Sequence, residues 1–509
     1  MAIIDTQPDH LGTLGVCLAW VVSLSLPAGK LIRIFRHYFS RWSLVLLVIE
    51  AVTATVAVYI GVSLRFSGLV HYDEIYGDML FPKALFFAVT ILTSLAATGR
   101  YQRLMEEGFS GEMLNVGLSF VIAIIAMSMG FYVFPDLFIG RGAFAYALVI
   151  AFLLLLSVRW FFFCHILDLN VLRRRVVVFG TGGNAKLVAE TVALSGQSDC
   201  TILGYWPVPG QPDLIDKARI LQDGDELPDF VVKNCVDEIV VAVDGPFPAI
   251  YMNDIQECKM RGVRIMDLLE FGERERHVIN TDVMEVAWWI LHSEGLHQKP
   301  WRGAIKKAFD IVISLILMCF AAPVMGLVAL AILAESGWRG PIFYIQDRVG
   351  FGGRIISVRK FRSMRTDAEQ DGVARWASDD DDRVTRVGWF IRKFRIDEMP
   401  QFFNVLRGEM SLVGPRPERP VFVDALKKKI PYYAERLRVK PGITGWAQIL
   451  YGYGASEEDA AEKLKYDLYY VKNHSLFLDL LVLIHTVEVV LFGRSTTGPR
   501  EHGQRFIPE

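Results

Sequence analysis

The sequence predicts a membrane protein with an N-terminal four-helix transmembrane bundle, a central Rossmann-like α/β domain and a basic C-terminal domain that follows a fifth apolar segment. The 509 residues are enough for several domains. A mean hydropathy of +0.32 is too high for an ordinary soluble protein. Predicted boundaries are 1–42 for an N-terminal cytoplasmic or interfacial segment, 43–165 for the bundle, 173–290 for the α/β domain, 301–340 for the fifth apolar segment and 341–509 for the C-terminal domain.

Four apolar stretches near the roughly 20 residues that span a bilayer predict the transmembrane helices. They cover residues 43–63, 80–98, 113–134 and 143–163. Basic residues gather before the first stretch, between the second and third, and after the fourth, as at Arg36, Arg103 and Arg174. Because positive loops stay in the cytoplasm, both ends of the bundle are expected there. Whether residues 11–28 also cross the membrane stays open.

The stretch 173–290 alternates short β-rich runs with helical ones, which is typical of a parallel sheet. "RVVVFGTGGNAKLVAE" places Gly180, Gly182 and Ala185 in a G-x-G-x-x-A turn after a strand. NAD binding requires an acidic residue after the second strand, and here that strand runs into Trp206 and Pro207. The pattern therefore favours a structural or regulatory module over a dinucleotide site.

Cysteines and histidines give no sign of a metal site. The six cysteines are scattered without a CxxC pair, and the ten histidines are equally dispersed. The cysteines are expected to be small apolar residues in a reducing compartment.

The fifth apolar segment, "IVISLILMCFAAPVMGLVALA" at 311–331, has Pro323 near its middle and basic residues on both sides. One interpretation is a spanning helix kinked by proline. The other is a re-entrant helix that returns to the side it came from, because positive charge on both flanks disfavours a crossing. The residues alone leave the two open.

The C-terminal domain contains two adjacent acids in "RIDEMPQFFNVLRG", residues 395–408. Pro400 suits the first turn of a helix through Leu406, with Gly408 as its C-cap. Asp397 and Glu398 would then face a helix N-terminus, where phosphate and a metal ion can meet. One acid would attack or take a proton while the other holds Mg²⁺.

Two nearby patterns are less specific. The run of four aspartates at 379–382 contains D-x-D, and a solvated acidic loop is the better interpretation. Val387, Phe390, Ile391 and Phe394 recur at helical spacing among basic residues. That helix suits either an anionic membrane surface or packing on a core.

Five ordered blocks within residues 300–495 resemble the bacterial sugar transferase family, the polyprenyl-phosphate hexose-1-phosphate transferases or monotopic phosphoglycosyl transferases. The blocks are "YIQDRVG", "RKFRSMR", "DRVTRVGWFIRKFRIDEMPQFFNVLRGEMSLVGPRPE", "KPGITGWAQ" and "YDLYYVKNHSLFLDL". The N-terminal helices and α/β domain resemble the long, exopolysaccharide-initiating subgroup. This resemblance implies a C-terminal α-rich catalytic domain with a re-entrant membrane helix, whose usual Ser-Pro break is Ala322-Pro323 here.

The resemblance also implies the reaction. A sugar 1-phosphate would pass from a UDP-sugar to undecaprenyl phosphate with release of UMP, using Mg²⁺, with Asp397 as nucleophile and Asp397 and Glu398 as the metal residues. The expected partners are the UDP-sugar, undecaprenyl phosphate and membrane lipids. Nucleic acid is not expected, and a homodimer is left open. The implied location is the bacterial inner membrane, with the catalytic domain on its cytoplasmic face.

Phosphoryl chemistry needs positive charge around the phosphate oxygens. The candidate substrate-binding residues are Lys360, Arg362, Arg386, Arg392, Gln401, Arg416 and Glu418. Two other functions remain: a membrane-anchored nucleotide-sugar dehydratase and a non-catalytic scaffold. The first needs Tyr-x-x-x-Lys, and none of the 17 tyrosines has lysine four residues later.

Overall fold

The computed structural model describes residues 31–34, 37–66, 79–97, 108–165, 173–194, 200–221, 226–292, 300–338, 340–366, 368, 383–451 and 456–492. The chain divides into two compact units, Met1–Phe271 and Gly272–Glu509. The open question about residues 11–28 and the D-x-D run at 379–382 both lie outside the described residues.

The first unit opens with a short hairpin and four long helices, which confirms the four predicted apolar helices. The elements are β1 (Leu31–Ile34), β2 (His37–Ser40), α1 (Arg41–Phe66), α2 (Leu80–Ala97), α3 (Gly108–Val133) and α4 (Arg141–His165). By length and composition α1, α3 and α4 can cross a membrane, and α2 is a shorter apolar helix. Small residues let α1 and α4 approach closely, since a Cβ on Gly61 would lie 2.7 Å from the nitrogen of Ala147.

Among the described residues of this bundle, Glu50 and Arg159 form a buried ion pair. Arg159 Nε of α4 donates to Oε1 of Glu50 of α1 at 2.5 Å. Glu50 is fully buried and Arg159 is 3% exposed. Charged residues at this depth are tolerated because they pair with one another.

The rest of the first unit confirms the predicted parallel sheet with helices. Its elements are β3 (Arg174–Phe179), α5 (Gly183–Leu194), β4 (Cys200–Trp206), α6 (Leu227–Lys233), β5 (Glu238–Val241), α7 (Met252–Met260) and β6 (Arg264–Asp267). The next helix, α8 (Leu268–Arg276), begins in this unit and ends in the second. The strands are parallel in the order β4-β3-β5-β6. Alternate residues of β3 pack into two apolar clusters. Val177 and Phe179 lie in one, and Val176 and Val178 lie in the other.

The second unit is mainly helical with two small sheets. Its elements are α9 (Val286–His292), α10 (Pro300–Glu335), β7 (Phe343–Val349), β8 (Ile355–Phe361), α11 (Arg386–Lys393), a 3₁₀ segment (Ile396–Gln401), α12 (Phe402–Leu406), β9 (Ser411–Val413), α13 (Pro420–Lys429), a second 3₁₀ segment (Tyr433–Arg438), β10 (Gly442–Thr444), α14 (Trp446–Leu450), α15 (Glu457–Asn473) and α16 (Leu476–Phe492). β7 and β8 form an antiparallel hairpin, and β9 pairs with β10 in parallel.

The N-terminal arm of α10, the part before Pro323, and the C-terminal arm, the part after it, both contact this unit, and buried charges fix the first. Lys306 Nζ lies 3.0 Å from Asp310 and 2.9 Å from Asp479 of α16. Asp310 also accepts a 2.8 Å hydrogen bond from the hydroxyl of Ser411. These contacts join the start of α10 to β9, the strand that precedes residues 414–418, the GPRPE loop.

The C-terminal arm of α10 contacts the same unit. Val328 and Ile332 share an apolar cluster with Phe361 of β8 and Ile391 of α11. Between the arms α10 remains helical through Pro323 and exposes apolar side chains such as Phe320. Both arms of this long apolar helix are therefore held by one compact unit.

The segment 273–292, which the sequence prediction assigned to the α/β domain, packs against helices of the second unit. Lys472 Nζ lies 2.6 Å from the buried carboxylate of Glu273. Trp446 Nε1 donates to the carbonyl of His277 at 3.0 Å. These contacts place the segment against α14 and α15.

Candidate active site

The two adjacent acids, Asp397 and Glu398, which together form the dyad, lie on the 3₁₀ segment that follows α11. Thr385 caps α11 by accepting a hydrogen bond from the backbone N–H of Gly388 at 2.9 Å. Arg395 then adopts a left-handed conformation with φ of 54° and redirects the chain. The α-helix expected from Pro400 begins only at Phe402. Pro400 lies inside this 3₁₀ segment and has no backbone N–H to donate to a helical hydrogen bond.

Glu398 is clamped by two cations. Its Oε1 lies 2.8 Å from Lys360 Nζ and 2.6 Å from Arg416 Nη2, while Arg416 Nη1 is 3.4 Å from Oε2. Glu398 is only 6% exposed. Burial on its own would raise its pKa, but Arg416 and Lys360 hold the pKa well below the usual range of a glutamate. Glu398 is therefore a fixed carboxylate at neutral pH.

The environment of Asp397 differs. In the part of the chain that the structure describes, no ion pair or side-chain hydrogen bond engages its carboxylate. Burial, followed by the neighbouring Glu398, raises the pKa of Asp397 to about 6. Lys360, Arg416 and Arg392 oppose this rise through their positive charge. Asp397 is thus an unengaged carboxylate in a cationic site, ionised above about pH 6.

The structure brings several predicted residues to this site. Lys360 and Arg416 contact Glu398 directly. Arg392 is near enough for its positive charge to lower the pKa of Asp397. Gln401 is buried at the end of the same 3₁₀ segment. Burial lowers the pKa of Lys360, and the charge of Glu398 opposes that effect.

Other predicted residues lie elsewhere. Glu418 accepts a hydrogen bond from Arg348 at 3.5 Å. Arg362 points toward α10 and donates to the carbonyl of Ile332 at 3.5 Å. Arg386 is exposed at the first position of α11. None of these three contacts the dyad directly in the described structure.

The sequence analysis did not identify the residues that fix the elements of the site to one another. Asn404 is fully buried, donates to the carbonyl of Ser357 at 2.9 Å and accepts from the backbone N–H of Arg359 at 3.2 Å. It thereby fixes the helix after the dyad to β8, the strand of Lys360. A polar residue inside an apolar helical run was the signal that could have identified it.

A second supporting group fixes the GPRPE loop. Arg436 donates to the carbonyl of Arg416 at 3.0 Å and pairs with buried Asp467 at 2.7 Å. Gln448 accepts from Arg416 Nη1 at 3.0 Å. Gln448 is the last residue of the block "KPGITGWAQ". Its position directly after a rigid loop was the signal that could have identified it.

The dyad is compatible with a magnesium ion only if substrate completes the coordination. The described residues contain no group of three or more acidic, histidine or cysteine side chains that could hold a metal. Mg²⁺ is commonly bound through one or two carboxylates plus waters and substrate phosphates. Asp397 is unengaged, and Oε2 of Glu398 has only the longer contact to Arg416. These two oxygen groups fit that limited requirement.

The glycine turn of the α/β domain is already occupied by a side chain of the protein. The Asp244 carboxylate accepts from the N–H of Gly183 at 2.7 Å and from that of Asn184 at 2.9 Å. These are the N-terminal donors of α5, where a dinucleotide would place its pyrophosphate. This arrangement agrees with the expectation of a structural module.

The chain has apolar helices long enough to cross a membrane and, in its second unit, a buried carboxylate held by two cations. Residues 301–493 match the family model described as bacterial sugar transferase. A glucose-1-phosphate transferase of Caulobacter vibrioides, named for UDP-glucose and undecaprenyl phosphate, is 41% identical over 36% of this chain and 69% of its own length. The chain belongs to the bacterial sugar transferase family.

Two further relatives show how far the similarity extends. A UDP-glucose:undecaprenyl-phosphate glucose-1-phosphate transferase of Xanthomonas campestris pv. campestris is 28% identical over 84% of this chain and 90% of its own. An N-acetylgalactosaminephosphotransferase of Aeromonas hydrophila is 49% identical, over 38% of this chain. The chain spans less than half of the Aeromonas protein, 45% of its length.

Proposed function

We propose that this protein transfers a sugar 1-phosphate from a UDP-sugar to undecaprenyl phosphate and releases UMP, as a membrane step of surface polysaccharide synthesis. The observation that carries the proposal is the asymmetry of the dyad. Glu398 is fixed by Lys360 and Arg416, whereas the Asp397 carboxylate is unengaged beside the same cations. The relatives named for this reaction support it. Their names give different sugars, so the sugar is left to experiment.

In the first step an Asp397 carboxylate oxygen attacks the phosphorus that bears the sugar. The bond from that phosphorus to the bridging oxygen breaks, and UMP leaves with the electron pair on that oxygen. An acyl phosphate joins Asp397 to the sugar phosphate. In the second step an oxygen of undecaprenyl phosphate attacks the same phosphorus. The Asp397 carboxylate is released, and the lipid diphosphate sugar is formed.

The remaining groups serve electrostatics and alignment. Lys360 and Arg416 offset negative charge that develops on the phosphoryl oxygens. Glu398 keeps both cations in place. It also accepts the hydrogen bonds that Lys360 and Arg416 would otherwise donate to Asp397. When bound, Mg²⁺ would supply further positive charge at the diphosphate. Asp397 and Glu398 are the residues that would hold it.

We further propose that α10 is re-entrant, so that the catalytic unit lies on the cytoplasmic face of the inner membrane. A crossing helix would need its ends on opposite sides of about 30 Å of hydrocarbon. Support comes from its two arms: Asp310 bonds Ser411, and Ile332 packs with Ile391, all within one compact unit. The exposed apolar middle around Phe320 is then the part that enters the membrane.

The test is UMP release by the purified full chain from a panel of UDP-sugars. With undecaprenyl phosphate, one UDP-sugar should give continuous UMP release. Without lipid, release should stop near one equivalent, and labelled UMP should exchange back into the UDP-sugar. Mass spectrometry should locate the sugar phosphate on the peptide that contains Asp397. UMP release that requires lipid, with no exchange, would instead indicate direct transfer with the dyad as a metal site.

A further inference from the structure

Gln448 stands behind Arg416 at the base of the proposed active site. It lies on α14, directly after a tight crossing of two loops, because a Cβ on Gly445 would lie 2.1 Å from the carbonyl oxygen of Gly414. Its own backbone N–H donates to the carbonyl of Gly445 at 2.9 Å. The side chain therefore projects from a rigid backbone toward Arg416.

The orientation of the Gln448 amide is fixed by its partner. A guanidinium carries only hydrogen-bond donors, so the atom that faces Arg416 Nη1 at 3.0 Å must be the oxygen, Oε1. The amide nitrogen Nε2 then points away from Arg416. It is buried and has no hydrogen-bond partner within the described residues.

An unpaired buried donor is costly unless something completes it. Nε2 belongs to the same amide that holds Arg416, and Arg416 reaches Glu398 beside the nucleophile. A phosphate drawn to this arginine would arrive beside the Gln448 amide, whose N–H donor is buried and unpaired within the described residues. The two groups together offer charge and a directed hydrogen bond to one anion.

On the basis of the proposed function, we propose that Gln448 is a substrate-binding residue whose Nε2 donates a hydrogen bond to a diphosphate oxygen of the UDP-sugar. Its Oε1 at the same time holds Arg416 against Glu398. Gln448 thus joins substrate binding to the arrangement of the dyad through one amide group.

Two substitutions distinguish the role of the amide oxygen of Gln448 from that of its amide nitrogen. Gln448→Glu keeps an acceptor for Arg416 and removes the Nε2 donor. Gln448→Met keeps the side-chain length and removes both. Exposed Gln256 of α7 provides matched controls, Gln256→Glu and Gln256→Met. Thermal unfolding of each variant shows that the comparison is made on folded protein.

The readouts are UDP affinity by calorimetry and steady-state kinetics with UDP-sugar and undecaprenyl phosphate. Both Gln448 variants should weaken UDP binding and raise the KM for UDP-sugar about tenfold or more, which corresponds to 1.4 kcal/mol. The KM for the lipid should be unchanged. Gln448→Met should also lower kcat, because Arg416 loses a partner, whereas Gln448→Glu should keep more of it.

Unchanged UDP affinity in folded Gln448→Met would overturn the proposal and leave Gln448 a structural residue. A wild-type protein that binds UDP but transfers no sugar phosphate would refute the proposed function instead. In that case the comparison of UDP affinities still decides the role of Gln448.

Discussion

Asp397 and Glu398 are neighbours in the chain, yet Lys360 and Arg416 both lie within 2.8 Å of the Glu398 carboxylate and form no ion pair with that of Asp397. The difference arises from direction, since successive residues of a 3₁₀ turn point about a third of a turn apart. One acid faces the cations on β8 and the GPRPE loop. The other retains a carboxylate that is not held by a partner, which is the requirement for an attacking group.

Asp397→Asn should reduce transfer by several orders of magnitude, as deletion of a catalytic nucleophile does. The amide keeps the shape but lacks the attacking anion, so exchange of labelled UMP into UDP-sugar should also disappear. Glu398→Gln should be severely impaired as well, because Lys360 and Arg416 lose their shared anion. Asp424→Asn, at an exposed position of α13, is the control. Lipid-independent exchange that survives in Asp397→Asn would assign the nucleophile elsewhere.

The pH dependence follows from the raised pKa of Asp397. The group is protonated below about pH 6 and becomes the attacking carboxylate above it. kcat/KM should therefore rise as pH increases through about 6 and then level off. Arg392→Gln removes a charge that lowers this pKa, so its profile should shift to higher pH. A profile that does not move would show that Arg392 has no effect on Asp397.

The proposed topology predicts that both soluble regions share the cytoplasmic side. In a cysteine-free background, Asp213→Cys in the α/β domain and Asp424→Cys in the catalytic unit should resist a membrane-impermeant thiol reagent in intact cells. Asp136→Cys, between α3 and α4, should react and so provides the control. Labelling of Asp424→Cys but not of Asp213→Cys would mean that α10 crosses the membrane.

The Glu50–Arg159 ion pair inside the bundle should stabilise the protein only when both charges are present. Arg159→Leu removes the cation that lies 2.5 Å from the buried Glu50 carboxylate, and breaking a buried ion pair typically costs about 3–5 kcal/mol. The double substitution Glu50→Leu with Arg159→Leu should recover most of that loss. Thermal unfolding in detergent measures both variants. A loss in the double variant equal to the sum of the losses in Arg159→Leu alone and Glu50→Leu alone would show that the two charges are not coupled.

The glycine turn allows a matched comparison of two neighbouring glycines. A Cβ at Gly182 would lie 2.0 Å from Oδ2 of Asp244, whereas at Gly183 it would be 3.7 Å away. Gly182→Ala should displace the cap and cost about 1 kcal/mol of stability, while Gly183→Ala should not. Transfer should be nearly intact in both, and no dinucleotide should co-purify. A stoichiometric NAD(P) in the purified wild type would contradict this interpretation of the domain.

The four N-terminal helices, the parallel strands and the two adjacent acids could all be predicted from the sequence. Apolar length predicts a membrane helix because each residue adds a fixed rise. Short β-rich runs between helices predict a parallel sheet because its strands are buried on both faces. Each of these signals lies within a short stretch of the chain, so the sequence alone is enough to predict the element.

Only the tertiary structure decided which acid is clamped, what occupies the glycine turn, and where residues 273–292 and the two arms of α10 are held. Lys360 is 38 positions from Glu398, and Gln448 is 32 positions from Arg416. Asp244 is 61 positions from Gly183. Contacts between residues so far apart in the chain depend on how the elements pack, and no local spacing records them. The sequence by itself determined the elements and the candidate chemistry, and packing assigned each side chain its partner.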